Sequence, residues 1–232
     1  MHTKLEDQID EIKTLTVEEL AEMFNCKSKE ICMGDYIASR TDDLACPYKV
    51  IMGFANFEGS NVERLGKLEI VFGRKFTDSH GPILDVNHNA IYLGLNLKNS
   101  KITNLGNLKK CYGTIILNSN ITTMKNVEYL GSNLFVLNSN LTDLGKLEVI
   151  EGILCLEDDE NKCGITSLGK LKKVRRLYIN SNSLRDLGDL EEVNNVRMFS
   201  KCKDEVNKLI ENNLTCYGNK YYRVYNEVKT QD

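Results

Sequence analysis

Residues 118–150 read NSNITTMKNVEYLGSNLFVLNSNLTDLGKLEVI, two copies of one phrase set end to end. Ile121, Met124, Val127 and Leu130 in the first copy answer to Leu141, Leu144, Leu147 and Ile150 in the second. Worked outward, the Leu of the recurrent Leu-Gly falls at Leu105, Met124, Leu144, Leu168 and Leu187, at spacings of 19, 20, 24 and 19. Leu65 belongs upstream, and Leu84 fits loosely, dividing the intervening gap into 19 and 21. Three more apolar columns keep the register. Val62, Ile102, Ile121, Leu141, Ile165 and Leu184 lie three residues before it. Leu68, Leu108, Val127, Leu147, Leu171 and Leu190 lie three after, and Val71, Cys111, Leu130, Ile150, Val174 and Val193 six after. Self-similarity at a period near 20 marks a repeat architecture.

Each copy also carries a short alternating run: Leu95-Asn-Leu97, Ile115-Ile-Leu117, Phe135-Val-Leu137, Leu154-Cys-Leu156, Leu177-Tyr-Ile179 and Val196-Arg-Met198. Period two over so few residues predicts a short strand with one face inward. About 20 residues leave no room for the crossover helix of a βαβ unit. The expected fold is therefore a repeat solenoid, leucine-rich-repeat-like or right-handed β-helix-like: each coil adds one strand to a parallel β-sheet, and stacked coils bury their leucines against each other. Columns of small polar residues (Ser100, Ser119 and Ser139; Thr103, Thr122, Thr142 and Thr166) and glycines such as Gly106, Gly145, Gly169 and Gly188 suit the corners between strands.

The phrase resembles the leucine-rich repeat superfamily, and most closely the variant of receptor L domains and of many bacterial and phage proteins. The likeness covers about residues 50–200 and is clearest over 95–198. It implies architecture and carries over no ligand. Residues 1–49 do not repeat. Thr16 followed by Glu19 forms a capping-box signal ahead of Val17-Glu-Glu-Leu-Ala-Glu-Met-Phe, so this part is expected to be an N-terminal helical cap. Residues 201–232, with helical spacing over Lys201 to Leu214 and a short strand about Tyr221-Tyr-Arg-Val-Tyr225, are expected to be a C-terminal helical cap and tail, since solenoid ends must be covered.

The 232 residues carry 30 Lys+Arg against 33 Asp+Glu, a net charge of −3 that offers no global attraction to nucleic acid or anionic lipid. No run approaches the roughly 20 apolar residues of a membrane span. The N-terminal MHTKLEDQIDEIK is the reverse of a secretory signal. A cytoplasmic location is expected. The eight cysteines, with no CxxC among them, then read as reduced and mostly buried.

Taking Leu97, Leu117, Leu137, Leu156 and Ile179 as inward, alternation sets the outer face of the sheet. Ile116, Leu134, Val136, Ile153, Cys155 and Tyr178 are expected to form an apolar patch there, rimmed by Asn118, Asn138, Asn180, Arg176 and Arg197. Such a patch is the composition of a protein-binding surface, unless the chain's own terminal segments cover it.

Catalytic signals are weak. His80, Asp85 and His88 sit in an irregular stretch at 76–92 that matches no ligand spacing, and HExxH and GxSxG are both missing. Glu157-Asp-Asp-Glu160-Asn-Lys-Cys163 lengthens one repeat but lacks the EF-hand spacing. Lys170, Lys172, Lys173, Arg175 and Arg176 form a basic cluster, interrupted in other copies by Glu128, Glu148, Glu191 and Glu192. The reading is a non-catalytic module without a cofactor that binds another protein. Its alternatives are an inhibitor from a phage or mobile element that blocks a nucleic-acid-processing enzyme, a direct nucleic-acid binder, and a metal-dependent enzyme.

Overall fold

A computed structural model of the chain describes residues 9–38, 44–75, 77–78, 81–82, 92–117, 120–137, 139–157, 164–180, 183–199 and 223–225. The chain is a parallel β-solenoid. Each coil carries two strand positions side by side, giving two parallel ladders. The first runs through Ile31–Cys32, Val50–Ile51, Ile70–Val71, Lys110–Cys111 and Tyr129–Leu130. The second runs through Tyr36–Ile37, Ala55–Asn56, Tyr92–Asn96, Thr114–Ile116 and Leu134–Leu137. In the next three coils the two positions fuse into single long strands, Val149–Glu157, Lys173–Asn180 and Glu192–Phe199, the last pairing with Arg223–Tyr225. Parallel bridges Ala45 to Arg64, Thr123 to Asp143 and Ser167 to Asp186 mark a third side.

The four apolar columns are the core. Every one of their 24 members from Val62 to Val193 is at most 6% exposed. A single coil cannot hide such a set, so burial depends on the coil above and below. The phrase closes a corner in the same way each time. Asn104, Asp143 and Asp186 accept through Oδ1, and Thr123 and Ser167 through Oγ, from the backbone N–H two residues on, at 2.8–3.1 Å. These Asx- and ST-turns satisfy a donor that the turn takes away from the ladders. The receiving residue sits in the left-handed region: Gly106, Gly145, Gly169 and Gly188 at φ +57° to +62°, and Lys125 at φ 45°. Lys125 is the one side chain forced into that role in these five coils. Lys125→Gly is therefore expected to raise stability by about 1 kcal/mol, read as a higher denaturant midpoint at unchanged slope.

The insertion between Leu65 and Leu105 corrects one reading. Val71 pairs directly with Cys111 and Ala55 with Leu95, so the stretch is one long coil and Leu84 marks no repeat of its own. The chain leaves through Arg74–Lys75 and returns antiparallel through Tyr92 and Leu93. Leu84 itself, with His80, Asp85 and His88, lies outside the described residues. The spacing of 24 is likewise an insertion, because Val149 still pairs with Lys173.

The solenoid begins at Ile31, inside the segment expected to be a purely helical cap over 1–49, and Arg223–Tyr225 extends it past residue 200. The helix Val17–Met23 has the capping box: Thr16 Oγ accepts from the Glu19 N–H at 3.3 Å and Glu19 Oε2 accepts from the Thr16 N–H at 2.8 Å. It packs sideways. Ile9, Leu20 and Ala21 join Ile31, Val50, Met52 and Phe72 in a second apolar cluster on the outer face of the first ladder. The Phe24 ring lies 5.9 Å from that of Phe72, which stacks on Tyr112 at 4.9 Å. The helical expectation for Lys201 to Leu214 lies outside the described residues.

One acid stands out at the helix-to-ladder junction. Glu30 accepts from the Lys27 N–H at 2.9 Å and pairs with Lys67, and these hold its carboxyl down at about 2. A depressed carboxyl pKa stabilises the fold above the unfolded-state value and loses that contribution as pH falls through the folded one. Denaturant midpoints are thus expected to fall between pH 5 and pH 2, with a smaller fall in Glu30→Gln, whose amide oxygen still accepts from Lys27.

Candidate binding surface

Backbone pairing fixes which side chains share the outer face of the second ladder. Asn56 pairs with Asn96, Asn96 with Ile116, Ile116 with Phe135, Phe135 with Cys155, and Cys155 with Tyr178. The backbone pairing runs on to Arg197 and Arg223, whose side chains lie outside the described residues. On the inward side Leu95, Ile115, Leu134, Leu154, Leu177 and Val196 form one row and Leu97, Leu117, Val136, Leu156 and Ile179 the next, all at most 5% exposed.

This register corrects two expected surface residues. Leu134 and Val136 are both 0% exposed and belong to the core. The residue that faces outward in their coil is Phe135, which is partly exposed, as are Ile116, Ile153, Cys155 and Tyr178. The slip has a local cause. Leu97 to Ser100 and Val136 to Ser139 both span three positions, whereas Leu117 to Ser119 spans two. Taking Leu137 as the counterpart of Leu117 therefore puts the third strand one residue out of frame, and in a strand one residue exchanges the faces. Counting forward from the core column gives the observed frame, since Cys111 to Ile115, Leu130 to Leu134 and Ile150 to Leu154 are all four apart.

Beside this row stands a second outward one, in which Ile153 pairs with Arg176. Arg176 is only 8% exposed, so it is a constituent of the face more than a free rim charge. Asn133 links the row across coils: its Oδ1 accepts from the Ile153 N–H at 2.9 Å and its Nδ2 donates to Thr114 Oγ1 at 3.3 Å. Asn180 pairs in the backbone with Glu157, two residues beyond Tyr178. Of the remaining expected rim, Asn118 and Asn138 lie outside the described residues. At the other end, Asn96 donates through Nδ2 to Glu58 Oε2 at 3.0 Å, and Asn56 Oδ1 accepts from the Glu58 N–H at 3.0 Å, so the row ends there in a hydrogen-bonded acidic corner.

The outer face of the first ladder has a different character. Its early rungs lie beneath the helical segment. Paired charges link its successive coils: Lys109 with Glu69 at 2.9 Å, Lys172 with Glu148 at 3.0 Å, and Lys173 with Glu151 at 3.4 Å and Glu192 at 3.8 Å. Two of the five members of the basic cluster, Lys172 and Lys173, are thus paired with carboxylates of neighbouring coils. Tyr129 is half-buried there, and burial with the nearby Glu151 carboxylate pushes its hydroxyl above the ordinary tyrosine value.

Two of the thiols lie in the core and on neither face. Burial pushes the Cys46 thiol up to about 11 and the Cys111 thiol up to about 12, which keeps both protonated and poorly nucleophilic. Cys155 is partly exposed within the apolar row. Among the described residues no cluster of three or more His, Cys, Asp or Glu is placed to hold a metal ion. None of their helices is long and apolar enough to cross a membrane. Comparison with known protein families, curated proteins and solved structures yields no match.

Proposed function

We propose that this chain is a non-catalytic binding module that recognises another protein through the outer face of the second ladder. The observation that carries this reading is the contrast between the two faces. One is shielded by the chain's own helices and then dressed in Lys–Glu pairs. The other presents Ile116, Phe135, Cys155 and Tyr178 on four successive rungs. Surface leucines and isoleucines scattered singly need no explanation, whereas a contiguous apolar row does. The mechanism is preorganisation: the stacked coils hold the row in fixed register before any partner arrives, so little conformational entropy is lost on binding. The four-column phrase with its positive-φ corners also supports our placing the chain near leucine-rich repeats of the L-domain type.

The test is affinity capture with the full chain followed by mass spectrometry. Phe135→Arg and Tyr178→Ala are expected to lose a partner that the wild type retains, and Lys172→Glu on the first ladder is expected to keep it. If both row variants retain every partner, the face is wrongly assigned.

A further inference from the structure

The first coil leaves one end of the solenoid with two unfinished strands. The hydrogen-bonded path through the main sheet starts at Ile31–Cys32 and ends at Tyr36–Ile37, and among the described residues each pairs on one side only. We infer that this end is an interface between two copies of the chain, which meet head to head about a two-fold axis at Gly34.

The main chain comes first. The carbonyls of Glu30, Cys32 and Gly34 accept from Lys49, Met52 and Gly53 of the second coil, and the Tyr36 N–H donates to Phe54. Even-numbered residues thus spend their backbone groups on the second coil, and alternation turns those of Ile31, Met33, Asp35 and Ile37 away from it. Among the described residues, only the Ile31 N–H of this set has a backbone partner, the Ser28 carbonyl. Open donors and acceptors in a row are a template for another strand. This edge is complementary to itself. Laid antiparallel about Gly34, Met33 faces Asp35 of the second copy and Ile31 faces its Ile37, so open groups meet open groups. One residue more at the corner would break the match.

The side chains agree. Among the described residues the exposed large apolar ones are Met23 at 53%, Met33 at 49% and Leu44 at 51%, all within the first 44 residues. Met33 stands between the two edge strands, and the Leu44 carbonyl takes the N–H groups of Glu63 and Arg64 in the coil above. Edges are often guarded by charge. Here the two carboxylates turn back to the second coil, Glu30 to Lys67 and Asp35 to Arg74 and the Phe54 N–H. At the axis, a Cβ on Gly34 would meet nothing within 4 Å. A contact of one patch with itself closes at two copies. One coil end is smaller than the roughly 20–30 residues a side of a standard interface, so the dimer is expected to dissociate in the micromolar range.

Sedimentation equilibrium of the full chain, run from about 1 to about 200 µM, is expected to show monomer and dimer and nothing larger. Met33→Lys and Ile37→Lys are expected to weaken the dimer about tenfold or more. Phe135→Arg, on the outer face of the second ladder, is expected to leave it unchanged. Far-UV circular dichroism checks folding, and the half-exposed Met33 reports should Ile37→Lys fail to fold. Gly34→Cys reads the register, because residues facing across such an axis lie about 4.5 Å apart at Cα, within disulfide reach. Under copper–phenanthroline oxidation this variant is expected to cross-link as a dimer, and the wild type, whose Cys32 lies off the axis, is not. A chain that stays monomeric throughout overturns the inference, as does a dimer untouched by both lysine variants. A dimer dissolved by Phe135→Arg places the contact on the second ladder and overturns it too. Open-ended growth, or a dimer that Gly34→Cys does not cross-link, overturns the head-to-head pairing.

Discussion

Val136→Arg is expected to unfold the solenoid, and Phe135→Arg, one residue away, to leave it folded. Val136 is 0% exposed and lies between Leu117 and Leu156 in an inward row. A guanidinium there has no water and no counter-charge, and the expected loss is about 4 kcal/mol or more. That is a large part of the roughly 5–15 kcal/mol holding a domain together. Each coil's core is completed by its neighbours, so the damage spreads to the coils on either side. Phe135 sits partly exposed on the other side of the strand, and its replacement costs about 1 kcal/mol through lost β-propensity and packing. Chemical denaturation followed by far-UV circular dichroism separates the two outcomes. Similar stabilities for the pair would mean that the strand sits one residue away from the register described here.

The second large effect concerns two glycines in the same column. Gly188→Ala is expected to cost about 2–4 kcal/mol and Gly169→Ala only about 1 kcal/mol. Both residues have positive φ, +57° and +58°, so the backbone penalty is shared. What differs is the space. A Cβ on Gly188 runs into the backbone carbonyl of Gly169 in the preceding coil, while a Cβ on Gly169 meets nothing within 4 Å. Backbone atoms cannot swing aside as the tip of a side chain does, so the stacked coils must separate locally. Equal denaturant midpoints for the two variants would show that coil separation at this corner is looser than described.

These two predictions also mark how far the sequence could be read. The four apolar columns are legible because burial repeats in strict register: residues three apart from Ile121 to Leu130, and again from Leu141 to Ile150, all point to one axis. The Thr16–Glu19 capping box is equally local, needing only two side chains and two N–H groups. The face of the third strand is harder to read. Leu134-Phe-Val-Leu137 is apolar throughout, so alternation gives no signal, and the frame comes from the four-residue step off Leu130 or from the pairing of Phe135 with Cys155. Nor does a sequence reveal that the helical segment lies across the first ladder, because that depends on contacts such as Phe24 with Phe72 between residues 48 apart. The two-ladder coil is equally hard to read from sequence. The two-residue rungs such as Lys110–Cys111 are too short to leave a period of their own.

The detour between Lys75 and Tyr92 has a practical consequence. The antiparallel pairing of Arg74–Lys75 with Leu93 and Tyr92 stitches the exit to the re-entry, so the coil closes whatever is spliced between them. A spring wound this way tolerates a pendant at that link without a change of pitch. A fluorescent protein or an epitope grafted there would ride on the molecule as cargo, leaving the rungs on either side to stack as before.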